Sequence, residues 1–294
     1  MFIPPYRVSL SGGGIKGFAH IGVLQVLEER GYLKYVREYI GISAGALCAF
    51  CICIGCSLTE LRGIISRLDF GSIRDFDIDT IMDFPETFGL DTGANLDKLL
   101  AALLRGKGID PDITFEGLAL KRIGPSLRVF ATNMNTCLVQ EFGLKESPDV
   151  GVRFAVHASM SVPIYFKPVR EPLSGHLFLD GGISHPSPFK YLTHDEQIHT
   201  LAVVFGYKDK PTDKIQDLGT FLHQLYYSIY FKESVDTIEN WSINMIQVEC
   251  GGINSIDFEA GSDVKNKVMD AGRRAAEAFL VSPGKRPARR FSLP

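Results

Sequence analysis

Residues 39–54 read YIGISAGALCAFCICI. Tyr39 to Ile42 is apolar and extended in character, and Ala44 to Ile54 is an apolar run of helical length. Between them stands Ser43 in the pentapeptide Gly41-Ile42-Ser43-Ala44-Gly45. A strand that turns sharply into a helix presents the turn residue at the helix N-terminus. Glycines on either side remove side chains that would collide in so tight a turn. That is the setting a nucleophilic serine needs. GxSxG alone occurs often by chance, so its weight rests on this strand–turn–helix context.

Upstream, Tyr6 to Leu10 reads as a first strand and SGGGIKG at 11–17 as a glycine-rich loop. From Phe18, the positions Ile21, Val23, Leu24 and Leu27 keep helical spacing, and Gly31 stands where a helix C-terminus wants a left-handed residue. Gly12, Gly13, Gly14 and Gly17 thus lie between a strand and a helix. Bare backbone N–H groups at a helix N-terminus attract negative charge, whether phosphate, dinucleotide or developing oxyanion. A phosphate-binding P-loop needs Gly-Lys-Ser/Thr, but Lys16 is followed by Gly17. A dinucleotide site wants an acidic residue ending the second strand, and that strand ends in Ser43. A nucleotide-dependent oxidoreductase would leave Ser43 unexplained.

Downstream, Ser57 and Glu60 have capping-box spacing ahead of a helix to about Leu68. Residues 69–93 lack a period and read as a long loop or lid. Asn95 is expected to cap a helix over Leu96 to Leu104, and Thr114 another to Arg122. Leu127 to Thr132 and Cys137 to Phe142 read as strands around a turn. Residues 150–160 read as helix, Leu177 to Leu179 as a strand leading into Asp180, and Thr200 to Phe205 as a further strand. Phe221 to Phe231 is aromatic-rich, and Val264 to Leu280 carries a helical stripe. Strands alternating with helices predict an α/β sheet covered on both faces.

Composition sets the outer limits. The 294 residues are 45% apolar and 22% charged with a net charge of -3, which is ordinary globular composition and gives no signal for nucleic acid. MFIPPYRVSL lacks a signal peptide's apolar run. No stretch reaches the ~20 apolar residues that span a bilayer, so any membrane contact is expected to be peripheral. Six cysteines include four in CAFCICIGC. With no second CxxC and no nearby histidine to complete a metal site, they read as small core residues. Free thiols at this density point to a reducing compartment. No motif calls for a metal or cofactor.

A serine hydroxyl needs a base. The candidates are His20, His157, His176, His185, His194, His199 and Asp180. An α/β-hydrolase places Ser, acid and His in that chain order, with the serine deep in the sheet. Ser43 follows only the second strand. Asp180-Gly181-Gly182 ends the strand LFLD and offers a carboxylate that neighbouring strand ends can bring to Ser43.

The order GGGIKG, GISAG, DGG resembles the patatin-like phospholipase family, as do ATNMN at 131–135, HASMSVPIYFKPV at 157–169 and DGGISHPSP at 180–188. The resemblance covers about residues 6–206. It implies a three-layer α/β/α sheet and a Ser43–Asp180 dyad without histidine. It also implies an oxyanion loop at Gly12, Gly13, Gly14 and Gly17, and a lipid ester substrate, phospholipid or acylglycerol. Residues 207–281 then read as a mainly helical extension packed on the catalytic domain, and 282–294 as a basic, disordered tail. Two positions depart from the family pattern. His185 stands where Asn is frequent and reads either as a residue orienting Asp180 or, preferred, as a loop hydrogen-bonding residue. Ser11 stands where Asp is frequent. Lys16 is expected either to neutralise a substrate phosphate or to be a solvated loop lysine. A lipid-binding protein of the same fold without turnover is the competing reading.

Overall fold

The computed structural model describes residues 5–67, 75, 82–206, 244–251 and 260–281, with isolated positions at 215, 220, 221, 224, 225, 228, 253 and 255. The chain alternates strand and helix at first: β1 Arg7–Leu10, α1 Phe18–Glu29, β2 Glu38–Gly41, α2 Ala44–Cys53, α3 Leu58–Arg67. Then follow α4 Phe84–Thr87, β3 Gly89–Asp91, α5 Ala94–Gly106, α6 Phe115–Lys121, β4 Ser126–Asn133, β5 Leu138–Gly143 and α7 Val152–Met160. The remainder is β6 Ile164–Phe166, β7 Val169–Arg170, β8 Leu177–Asp180, α8 His194–Ile198, β9 Thr200–Phe205, β10 Met245–Val248 and α9 Ser262–Val281.

The main sheet has the order β10-β9-β1-β2-β4-β8-β7, with β5 on β4. Its centre is parallel, and β5, β8 and β7 join antiparallel. Period-two alternation explains how it is covered. In β9, Leu201, Val203 and Phe205 face the large core formed with α1, α2, α7 and α9. Ala202 and Val204 face a smaller cluster with Ile40, Ile42, Phe130, Phe189 and Leu192. All six β9 residues are buried, so the strand shows no polar face. That is the mark of a strand covered on both sides. The helices flank the sheet unequally. The smaller cluster lies under the 3-10 turn Pro188–Tyr191, which leads to α8.

β4 matters most for the site. β5 pairs with its residues 128–133 along one edge. The other edge is shared: β2 runs alongside residues 126–129 in parallel, and β8 alongside 131–133 antiparallel. β2 and β8 therefore run toward each other along one edge. Gly41 ends opposite Val129 and Asp180 ends opposite Ala131.

Several local expectations differ. α5 starts at Ala94, behind Gly93 in a left-handed conformation, and Asn95 is not its cap. Asp91 Oδ1 accepts the Gly93 N–H at 2.8 Å and Thr92 Oγ1 accepts that of Ala94 at 3.1 Å. The abrupt exit from β3 places Asn95 inside the first turn, where its side chain meets Lys98 instead. The lid expected over 69–93 is partly regular. α4 and β3 occupy 84–91, and β3 pairs with β6; most of 69–81 lies outside the described residues. The Ser57–Glu60 and Thr114 caps form as expected. Most of the aromatic run 221–231 and the whole basic tail 282–294 lie outside the described residues.

The C-terminal segment is tied to the fold by backbone approach. β10 extends the sheet beyond β9, a strand the sequence did not announce. α9 crosses α1 so closely that a Cβ on Gly272 would lie 2.1 Å from the Ala19 carbonyl oxygen, and one on Gly22 2.0 Å from that of Met269. Gly272→Ala is expected to force the helices apart at a cost of about 1–3 kcal/mol. Urea unfolding monitored by circular dichroism measures this, and a midpoint equal to wild type would show that α9 does not pack as described.

Candidate active site

Ser43 sits where β2 ends and α2 begins, with φ 55° and ψ -125°. A residue with a side chain is strained there by about 1–3 kcal/mol and persists only when its surroundings hold it. They do. The Ser43 carbonyl accepts from Leu47 N–H at 3.2 Å, inside α2. Its N–H donates to Ser159 Oγ at 3.0 Å, and that hydroxyl donates to the Phe130 carbonyl of β4 at 2.7 Å. The flanking glycines allow close approach. A Cβ on Gly45 would stand 2.2 Å from the Leu10 oxygen, and one on Gly41 2.5 Å from the Ala46 backbone.

Asp180 is brought to Ser43 by the shared edge of β4. Its N–H donates to the Ser161 carbonyl at 2.8 Å, and its own carbonyl accepts from Thr132 Oγ1 at 3.1 Å. The carboxylate receives the Gly182 N–H at 2.7 Å, and the Ser43 hydroxyl lies near enough to pull its pKa down. Gly181 lies against β4, where a Cβ would be 2.4 Å from the Phe130 oxygen. Burial dominates the electrostatics. It pushes the carboxyl up from 3.8 to about 7, against the downward pull of the Ser43 hydroxyl and the Gly182 N–H.

The glycine loop closes over the other side. A Cβ on Gly12 would lie 3.1 Å from the Ser43 Cβ, and one on Gly17 2.6 Å from that of Ala44. A side chain on Gly13 would meet the Phe205 ring at 2.5 Å. The loop differs from the expected row of equivalent donors. The Gly12 N–H already donates to the Pro186 carbonyl at 2.8 Å. Among the described residues, the N–H groups of Gly13 and Gly14 meet no backbone acceptor. Lys16 is buried rather than a solvated loop lysine. Gly14 takes φ 53°, and the chain then coils through the 3-10 turn Gly14–Gly17 into α1.

The histidines have other duties. His185 is buried, and its Nδ1 lies 3.0 Å from the Ser187 carbonyl and 3.1 Å from the Ser187 nitrogen. Burial pushes His20 down to about 4, and its Nε2 lies 2.8 Å from the Ser11 carbonyl. His176 meets Asn133, and His157 stands beside Asp97. Cys48, Cys51, Cys53 and Cys56 are free thiols buried in the core. Three supporting residues had no assigned role in the sequence reading: Ser159, Ser161 and Thr132. The first two lie in HASMSVPIYFKPV, which carried resemblance but no chemistry of its own.

No helix among the described residues is long and apolar enough to cross a membrane. Comparison with known proteins agrees with this architecture. The uncharacterized protein YqhO of Bacillus subtilis is 25% identical over 289 residues, covering 92% of this chain and 96% of that protein. The probable lipid hydrolase 463L of Invertebrate iridescent virus 6 is 28% identical over 181 residues, which cover 61% of this chain and 60% of that one. Among solved structures, VipD from Legionella pneumophila superposes with a TM-score of 0.64 at 17% identity, covering 96% of this chain and 67% of VipD, a likeness of fold. The profile of the patatin-like phospholipase family matches residues 8–193, so this chain belongs to the patatin-like phospholipase family.

Proposed function

We propose that this protein hydrolyses a carboxylic ester of a phospholipid or acylglycerol through an acyl-Ser43 intermediate, with Asp180 as the general base. The observation that carries the reading is the meeting of the strained Ser43, at the end of β2, with the buried Asp180 carboxylate, at the end of β8. In the first step Ser43 Oγ attacks the ester carbonyl and its proton passes to Asp180. The developing oxyanion lies against the Gly13 and Gly14 N–H groups, where each donor is worth about 3 kcal/mol to the transition state. Gly12 supports the loop through Pro186 rather than by donating to substrate. Collapse of the tetrahedral intermediate expels the alcohol, which takes the proton from Asp180. Water then attacks the acyl-serine, with Asp180 again accepting a proton, and collapse of the second intermediate releases the fatty acid while that proton returns to Ser43 Oγ. A carboxyl raised to about 7 is a stronger base than an ordinary aspartate, yet it is still ionised in a useful fraction near neutrality. The membership of the lipid-hydrolase family supports a lipid as the acyl donor.

The test combines a fluorophosphonate probe with hydrolysis of phospholipid, acylglycerol and p-nitrophenyl ester. Covalent labelling at Ser43, found by peptide mass spectrometry, together with release of fatty acid is expected. Lipid binding with neither labelling nor release would instead favour the non-catalytic reading.

A further inference from the structure

Ser159 and Ser161 lie at the end of α7 and both are fully buried. Each reaches one member of the pair described above. Ser159 Oγ accepts the Ser43 N–H at 3.0 Å, and the Ser161 carbonyl accepts the Asp180 N–H at 2.8 Å. The segment is itself anchored. The Ser159 hydroxyl donates to Phe130 O on β4 at 2.7 Å, and the Ser161 hydroxyl donates to His157 O, one turn back in the helix, at 2.9 Å.

We infer that Ser159 is a positioning residue that sets the direction of the Ser43 nucleophile, and that Ser159 to Ser161 act as one rigid bracket fixing Ser43 relative to Asp180. A hydroxyl carries a single proton. Ser159 commits that proton to Phe130 O, so toward Ser43 it acts only as an acceptor and cannot compete as acid or base. The Ser43 N–H needs such an acceptor. It is buried in a left-handed, strained turn, where no strand neighbour can take it, and an unpaired buried N–H is costly. β4 alone aligns the ends of β2 and β8 only to within the play of two strand termini. The bracket adds a second path from Ser43 to Asp180 that spans three residues. Misplacement by about 1 Å at a reacting centre costs on the order of 100-fold in rate, which makes such a path consequential.

The inference rests on the dyad reading, and the experiment separates the two. Wild-type labelling at Ser43 tests the dyad, whereas variants at Ser159 test the bracket. Ser159→Ala is expected to lower kcat by about 10- to 100-fold with KM within about twofold, because binding surfaces are untouched while attack geometry is lost. Ser159→Cys, a near-isosteric group that accepts weakly, is expected to fall between Ser159→Ala and wild type. A crystal structure of Ser159→Ala should show Ser43 Oγ displaced from the Asp180 carboxylate, a readout that does not depend on activity. Wild-type kcat in Ser159→Ala would overturn the inference. So would a rise in KM that accounts for the whole loss, or an unchanged Ser43–Asp180 contact in the variant crystal.

Discussion

Ser43→Ala is expected to lower ester hydrolysis by about 10⁴-fold or more and to abolish fluorophosphonate labelling. In the proposed mechanism the hydroxyl oxygen forms the bond to the acyl group, and none of the described residues beside Asp180 replaces it, so the loss is large. Ser159 has its proton on Phe130 O, and Thr132 Oγ1 donates to the Asp180 backbone carbonyl. Alanine also meets the same backbone strain at φ 55°, so the turn itself changes little in cost. The fold should therefore survive with a similar urea midpoint. Any residual rate reports binding and oxyanion contacts alone. A Ser43→Ala protein that still turns over substrate within tenfold of wild type would end the nucleophile assignment.

Asp180→Asn is expected to cost about 10²–10⁴-fold in kcat, the usual range for a general base. The pH dependence sharpens this. With the carboxyl raised to about 7, wild-type kcat/KM should climb roughly tenfold per pH unit below neutrality and level off above it. The limb should vanish in the variant. Stability moves the opposite way. In the native state the carboxyl titrates near 7 rather than 3.8, so between these values the folded protein holds a proton that the unfolded chain has released. The favourable contribution is complete below about pH 4 and is lost as pH rises through about 7. Burying the charge above that pH costs about 4 kcal/mol. Asparagine has no charge to bury, so Asp180→Asn should be more stable than wild type above pH 7, with the difference shrinking toward pH 4. Lower activity with higher stability at alkaline pH distinguishes a buried base from a structural aspartate. Urea midpoints from pH 4 to 8 and initial rates over the same range measure both. Parallel stability curves for the two proteins would count against the buried charge.

Local periodicity made much of the fold readable. α1, α2, α6 and β9 lie where apolar spacing and the Gly31 and Thr114 signals place them, because each is decided by residues within one turn or one strand. β10, the β3–β6 pair and the true start of α5 were not readable. β10 and the β3–β6 pair depend on partners distant in sequence, β9 and the segment after α7, and the start of α5 is set by the Asp91 and Thr92 side chains as the chain leaves β3. The close crossing of α1 and α9 was equally hidden. Gly22 and Gly272 are ordinary helix glycines until the two backbones meet.

The site divides along the same line. The sequence by itself determined the chemical inventory: a serine in a glycine-flanked strand–helix turn, a glycine-rich loop at a helix start, and an aspartate ending a strand. These are local features, specified by residue type and spacing. Only the tertiary structure decided that they meet. β2 and β8 approach head to head along one edge of β4, and burial there raises Asp180. It also decided that Gly12 spends its N–H on Pro186, and that Ser159 and Ser161 hold Ser43 and Asp180. The reason is physical. Strand register, burial and hydrogen-bond partners at separations of 100 residues or more arise from packing of the whole chain, and no local window of sequence contains them.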